Sequence, residues 1–175
     1  MRKHGWNIGG NHNMGSQAGA IVLQTLSDAE KQPDIKVKTM LGRNALDHNL
    51  IWDEKTIALA MEMGDRVAFG LNAELWNPRV VRGVEMLQAQ YGDGLHTAQP
   101  VRELLKAGIR VHFEGGDPDE PPMWRAQRFI TRVARYATRS ERGGQASGNV
   151  VWGSQHAVDR KEALRLLTIA AASFI

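Results

Sequence analysis

At 175 residues the chain has room for one domain with a substantial core and too little for two comfortable ones. It contains no cysteine, which excludes a disulfide framework, a thiolate metal site and a cysteine nucleophile, so a transition metal here must be held by histidine and carboxylate. The formal charge of +3 names no partner by itself, and no stretch approaches the roughly 18 apolar residues of a membrane helix.

The opening MRKHGWNIGG has basic residues but no apolar segment behind them, so the expectation is a soluble, uncleaved protein of the cytoplasm. Trp6 to Gly10 reads as a first short strand, followed by a helix from about Gln17 to Glu30. That helix is expected to turn Ala18, Ile21, Val22, Thr25, Leu26 and Ala29 to one face, and Pro33 stops it. A second strand lies within Val37 to Asp47. Asp53 caps a helix through Met63 with Ile57, Ala60 and Met61 inward and Gly64 as its exit. Arg66 to Gly70 is the third strand. Pro100 occupies a first helical position, Val101, Leu104 and Leu105 face the core, and Gly108 closes that helix before a fourth strand, Arg110 to Phe113. The final helix opens on a capping box of Asp159 and Glu162 and carries Leu164, Leu167 and Ala171 as its apolar stripe. Strands alternating with helices in this way predict an α/β fold with a parallel sheet, built from four βα units.

Two connections exceed the roughly 2 to 6 residues usual for such loops. One, about Leu71 to Gln99, is expected to hold a helix near Arg79 to Tyr91 and contains Trp76 and His96; the other, Thr138 to Val158, contains SERGGQASGN and reads as a surface loop. Arg125, Arg128, Arg132, Arg135, Arg139 and Arg142 recur at alternating spacings of three and four, opposite an apolar face of Ala126, Phe129, Ile130, Val133 and Ala137. Such a stripe suits an anionic surface, but it also suits the solvated side of an outer helix. The stripe lacks a regular series of aromatic residues for base stacking, Phe129 being assigned to the apolar face, which speaks against RNA or single-stranded DNA.

Chemistry concentrates where the predicted strands end. His12 lies in GGNHNMGS after the first strand, His48 in LDHN after the second, and Asp117 in EGGD after the fourth. Parallel α/β architectures gather their sites at the carboxyl ends of strands, where the loops converge. Two imidazoles and a carboxylate suit Zn²⁺ or a related divalent ion, which lowers the pKa of bound water toward neutrality. Each residue also has a plainer reading: His12 as a solvated turn residue, His48 as an exposed histidine beside an acid, and Asp117 as the start of an Asp-Pro turn. No GxGxxG or Walker motif follows any strand, so no nucleotide is indicated.

Four blocks in series resemble a known family. GWNIGGNHNMGS is similar to the block carrying a strand-five histidine in HAxGD form, and ALDHNLIWDEKTIALAMEMG to the strand-six block with an IEHA-type histidine. PVRELLKAGIRVHFEGGD resembles the helix leading to a strand-eight aspartate, and DRKEALRLLTIAAASF the closing helix. The family is the metal-dependent amidohydrolase superfamily, in its amidohydrolase family 3 branch, and the resemblance runs over nearly the whole chain. It implies half of a TIM-like (β/α)₈ barrel, strands five to eight, as one partial domain over 1–175. It also implies that His12, His48 and Asp117 ligate one or two divalent ions, zinc foremost, with Asp117 moving a proton from the attacking water to the leaving nitrogen. The implied substrate is a small amide-type molecule, with no nucleic acid or membrane as partner. Ser16 stands where the family usually has aspartate, Asn13 where it has a small residue, and VHFEGGD departs from the usual GSD ending. A complete barrel takes about 250 residues, so the expectation is a piece of a longer protein with little activity alone. The competing expectation is a non-catalytic α/β protein that binds a small molecule or anion and carries a basic outer helix.

Overall fold

The structure is a computed structural model that describes residues 8–13, 15–33, 44–71, 98–114 and 154–172, together with 89, 92, 133, 134 and 137. Within them lie β1 (His12–Asn13), α1 (Ser16–Glu30), β2 (Asn44–His48), α2 (Glu54–Met63), β3 (Val67–Leu71), α3 (Val101–Lys106), β4 (Val111–Phe113), α4 (Arg160–Leu167) and α5 (Ile169–Ala172). The predicted helix of the Leu71 to Gln99 connection falls mostly outside the described residues, as do the whole arginine stripe and most of its apolar face.

The four strands are all parallel and lie in the order β1-β2-β3-β4. Each new strand is added on the same side of the last, with helices between. This is the half-barrel pattern, because a doubly wound sheet reverses its strand order part-way. The register places Leu46 beside Phe69, Phe69 beside Val111 and Leu71 beside Phe113. Partners in a parallel ladder share a face, so these large side chains form one apolar surface. They join a single core with Leu23 and Leu26 of α1, Ala60 and Met63 of α2, Val101 and Leu104 of α3, and Ala163, Leu166 and Leu167 of α4. Trp52 stands edge-on to Phe69 with ring centroids 5.0 Å apart. By alternation, Ala45, Asp47, Ala68, Gly70 and His112 belong to the opposite face of the sheet. Small and polar residues there suit the inside of a barrel rather than a second helical layer.

The helix ends follow from local chemistry. Asp53 accepts the backbone N–H of Thr56 at 2.7 Å to cap α2, and Gly64 leaves it with φ of 53°. Asp159 accepts from the backbone N–H of Glu162 at 2.7 Å to cap α4. Gly108, at φ of 73°, closes the turn after α3. Pro100 is the cap of α3 rather than its first residue.

Several predicted faces are corrected. Residues 9 and 10 are not strand; β1 is His12–Asn13, although the Ile8 carbonyl still accepts from the N–H of Ala45 at 2.8 Å. In α1 the buried residues are Gly19, Ala20, Leu23, Leu26 and Ser27, while Ile21 is 66% exposed. The helix is rotated because it packs on α2 through small groups: a Cβ at Gly19 would sit 3.4 Å from the Thr56 methyl, and Ser27 donates to Glu62 Oε1 at 3.1 Å. For the same reason α2 buries Thr56, Ala60 and Met63 and leaves Met61 exposed. In α4 Leu164 is exposed and Ala163 and Leu166 take its place. Among the described residues no helix is long and apolar enough to cross a membrane.

Candidate active site

The carboxyl ends of β1 and β2 lie side by side because His12 pairs with Asp47 and Asn13 with His48. Both histidines are thus strand residues, not members of the loops that follow. In a regular strand Asp47 and His48 would point to opposite faces. His48 instead has φ of 68° and Asn49 φ of 35°. The N–H of Asn49 donates back to the Asp47 carbonyl at 2.9 Å, closing a three-residue turn centred on His48. Such positive φ values at non-glycine residues cost on the order of 1–3 kcal/mol and persist only where the surroundings enforce them. The surroundings here are specific. The buried Asn49 side chain donates to the carbonyls of Leu46 at 2.5 Å and Gly70 at 3.2 Å, and the Trp52 indole N–H donates to the Asn49 carbonyl at 2.8 Å.

This turn brings the His48 ring against that of His12, with centroids 4.2 Å apart and planes at 79°. His12 is exposed and His48 half-buried. The structure therefore brings together two of the three residues singled out from the sequence, while Asp117 lies outside the described residues. It also adds carboxylates that pattern reading missed. Glu114, the residue after β4, accepts the backbone N–H of His48 on Oε1 at 2.6 Å and stands 2.6 Å from His48 Nδ1 through Oε2. Burial raises the pKa of the Glu114 carboxyl, the bonds from His48 pull it back, and the nearby Asp47 charge adds to the rise. The Asp47 carboxylate occupies the space over Gly10, where a Cβ would fall 2.5 Å from Oδ2. His112, one strand further in, is buried; burial lowers its pKa and Arg110 lowers it further, while Asp47 opposes the shift.

Imidazole nitrogens with carboxylate oxygens are a donor set for Zn²⁺ or a similar divalent ion. His12 and His48 fit two positions of such a set, with Glu114 behind one of them. Among the described residues no group of three or more potential ligands closes on a single point. A further histidine pairing lies elsewhere: His156, in a short 3₁₀ turn and buried, pairs through Nδ1 with Glu103 of α3.

No protein-family model matches the chain, and no curated protein matches it. A solved structure does. The fold is similar to that of an uncharacterized metal-dependent hydrolase from Pyrococcus furiosus, with a TM-score of 0.58 and 16% sequence identity. The match covers 94% of this chain and 28% of that one, so the chain spans less than a third of the similar structure. At this identity the likeness is one of fold, and it supports the half-barrel arrangement of four parallel βα units.

Proposed function

We propose that the chain forms the strand-five-to-eight half of a metal-dependent hydrolase acting on carbon–nitrogen bonds other than peptide bonds. The observation that carries this reading is the meeting of His12 and His48 at the carboxyl ends of two adjacent parallel strands, 4.2 Å between ring centroids, held there by a left-handed turn. The fold shared with a metal-dependent hydrolase supports it. His12, His48 and Asp117 hold one or two divalent ions, zinc foremost. When bound, such an ion supplies Lewis acidity toward the scissile carbonyl and brings the pKa of water toward neutrality. Asp117 takes the proton of the attacking water as its oxygen bonds to the carbonyl carbon, and passes that proton to the nitrogen as the C–N bond breaks. Gly115 and Gly116 precede Asp117 in the sequence, and glycine is the residue type that allows a close approach of backbone to a ligand. The partner is a small amide-type molecule, with no role for nucleic acid or membrane, in the cytoplasm.

Turnover is to be measured in the protein that closes the barrel, against small linear and cyclic amides, after chelation and readdition of Zn²⁺. Asp117→Asn is expected to lower the rate by about 10² to 10⁴ while part of the metal stays bound. An Asp117→Asn enzyme working at the parental rate contradicts the base assignment.

A further inference from the structure

Glu114 directly precedes the glycines before Asp117, and its carboxylate is spent entirely on another strand. Its two oxygens take different partners on one residue: Oε1 the backbone N–H of His48, Oε2 the ring Nδ1, each at 2.6 Å. The β-sheet is built to admit it. A Cβ at Gly70, on the intervening strand β3, would collide with the Glu114 side chain, so glycine at that position leaves the passage through which Glu114 reaches His48. The Gly70 carbonyl in turn accepts from Asn49, the next residue of the His48 turn.

We propose that Glu114 is a positioning residue that holds His48 as its Nδ1–H tautomer and thereby presents Nε2 to a divalent cation. This rests on the metal-dependent hydrolase reading given above. Oε1 of Glu114 already accepts the backbone N–H of His48, and with Oε2 accepting as well the ring nitrogen facing it is the one that carries the proton. A neutral imidazole protonated on Nδ1 has its lone pair on Nε2, which is the atom a metal needs. Outer carboxylates of this kind fix the orientation of a ligating histidine and raise its basicity, and losing one lowers metal affinity by about 10- to 100-fold. The bond to the backbone N–H adds a second constraint, because it ties the same carboxylate to the main chain of the residue it orients.

Glu114→Gln keeps the shape and can still accept the backbone N–H, but it puts an NH₂ donor toward Nδ1, so the ring either loses that bond or turns to the Nε2–H tautomer. The experiment combines ¹⁵N NMR of the His48 imidazole with calorimetric titration of the metal-free chain by Zn²⁺, for the wild type, Glu114→Gln and His48→Ala. The Nδ1–H signature is expected in the wild type and its loss in Glu114→Gln, where zinc affinity falls about 10- to 100-fold with an unchanged circular dichroism spectrum. An Nε2–H tautomer in the wild-type chain overturns the proposal without recourse to any variant. Zinc uptake that fails in His48→Ala but keeps wild-type affinity in Glu114→Gln overturns the role of Glu114 alone. Uptake unchanged in His48→Ala overturns the metal reading, and this proposal with it.

Discussion

His112 and Glu114 sit two residues apart, and burial shifts them in opposite senses on the pH axis. The folded pKa of His112 lies below its ordinary value near 6.5, so the native state binds fewer protons than the unfolded chain in that range. Its contribution to stability is complete above about pH 6.5 and is lost as the pH falls from there through the depressed folded value. Glu114 is raised above 4.5, so its contribution is complete below that value and is lost as the pH rises through the raised folded value. His112→Gln is therefore expected to flatten the acid limb of the stability profile below about pH 6.5, and Glu114→Gln to flatten the fall above about pH 4.5. Urea midpoints measured across the pH range for the three chains check both, and parallel profiles would contradict the burial argument. Gly70 gives a steric counterpart. Gly70→Ala drives a methyl group into Glu114 and is expected to destabilise the chain by about 1–3 kcal/mol and weaken zinc uptake together. Retention of both in thermal melts and titration would show that Glu114 has another place to go.

At the scale of the element, the helix caps were open to reading from the sequence because each depends on one residue and its near neighbours. Asp53, Gly64, Gly108 and Asp159 all act as their types predict. Asp53 is also held below the usual carboxylate range: burial opposes this, but the side-chain and backbone bonds from Thr56 and the contact with Ser16 outweigh it. Asp53→Ala is expected to cost about 1 kcal/mol, read from the shift in chemical denaturation, with no change in zinc uptake. The buried faces were less legible. Ile21 and Met61 are apolar at helical spacing yet exposed, because α1 and α2 approach each other through Gly19, Thr56 and Ser27, and close approach favours small residues over large ones; on α4 Leu164 is exposed while Ala163 and Leu166 are buried. The two histidines were found through their placement near strand ends, whereas Glu114 was not, since its partner lies 66 residues away and only the parallel register joins them.

For the molecule as a whole, the monotonic strand order leaves β1 and β4 as the two outer strands of the described sheet, each with one neighbour. Strand edges and the inner face of a half-barrel invite association wherever nothing covers them. The isolated 175-residue chain is expected to sediment as a concentration-dependent mixture of oligomers; a compact, well-dispersed monomer would contradict that. The same half-barrel makes the central claim about function testable without turnover, since His12 and His48 are both present in this chain. Metal content by elemental analysis, after incubation with Zn²⁺ and removal of unbound ion, is the most direct measurement. The wild-type chain is expected to retain the ion and His12→Ala and His48→Ala each to lose most of it, since either change leaves one imidazole where two acted together. Unchanged metal content in both variants would contradict the account.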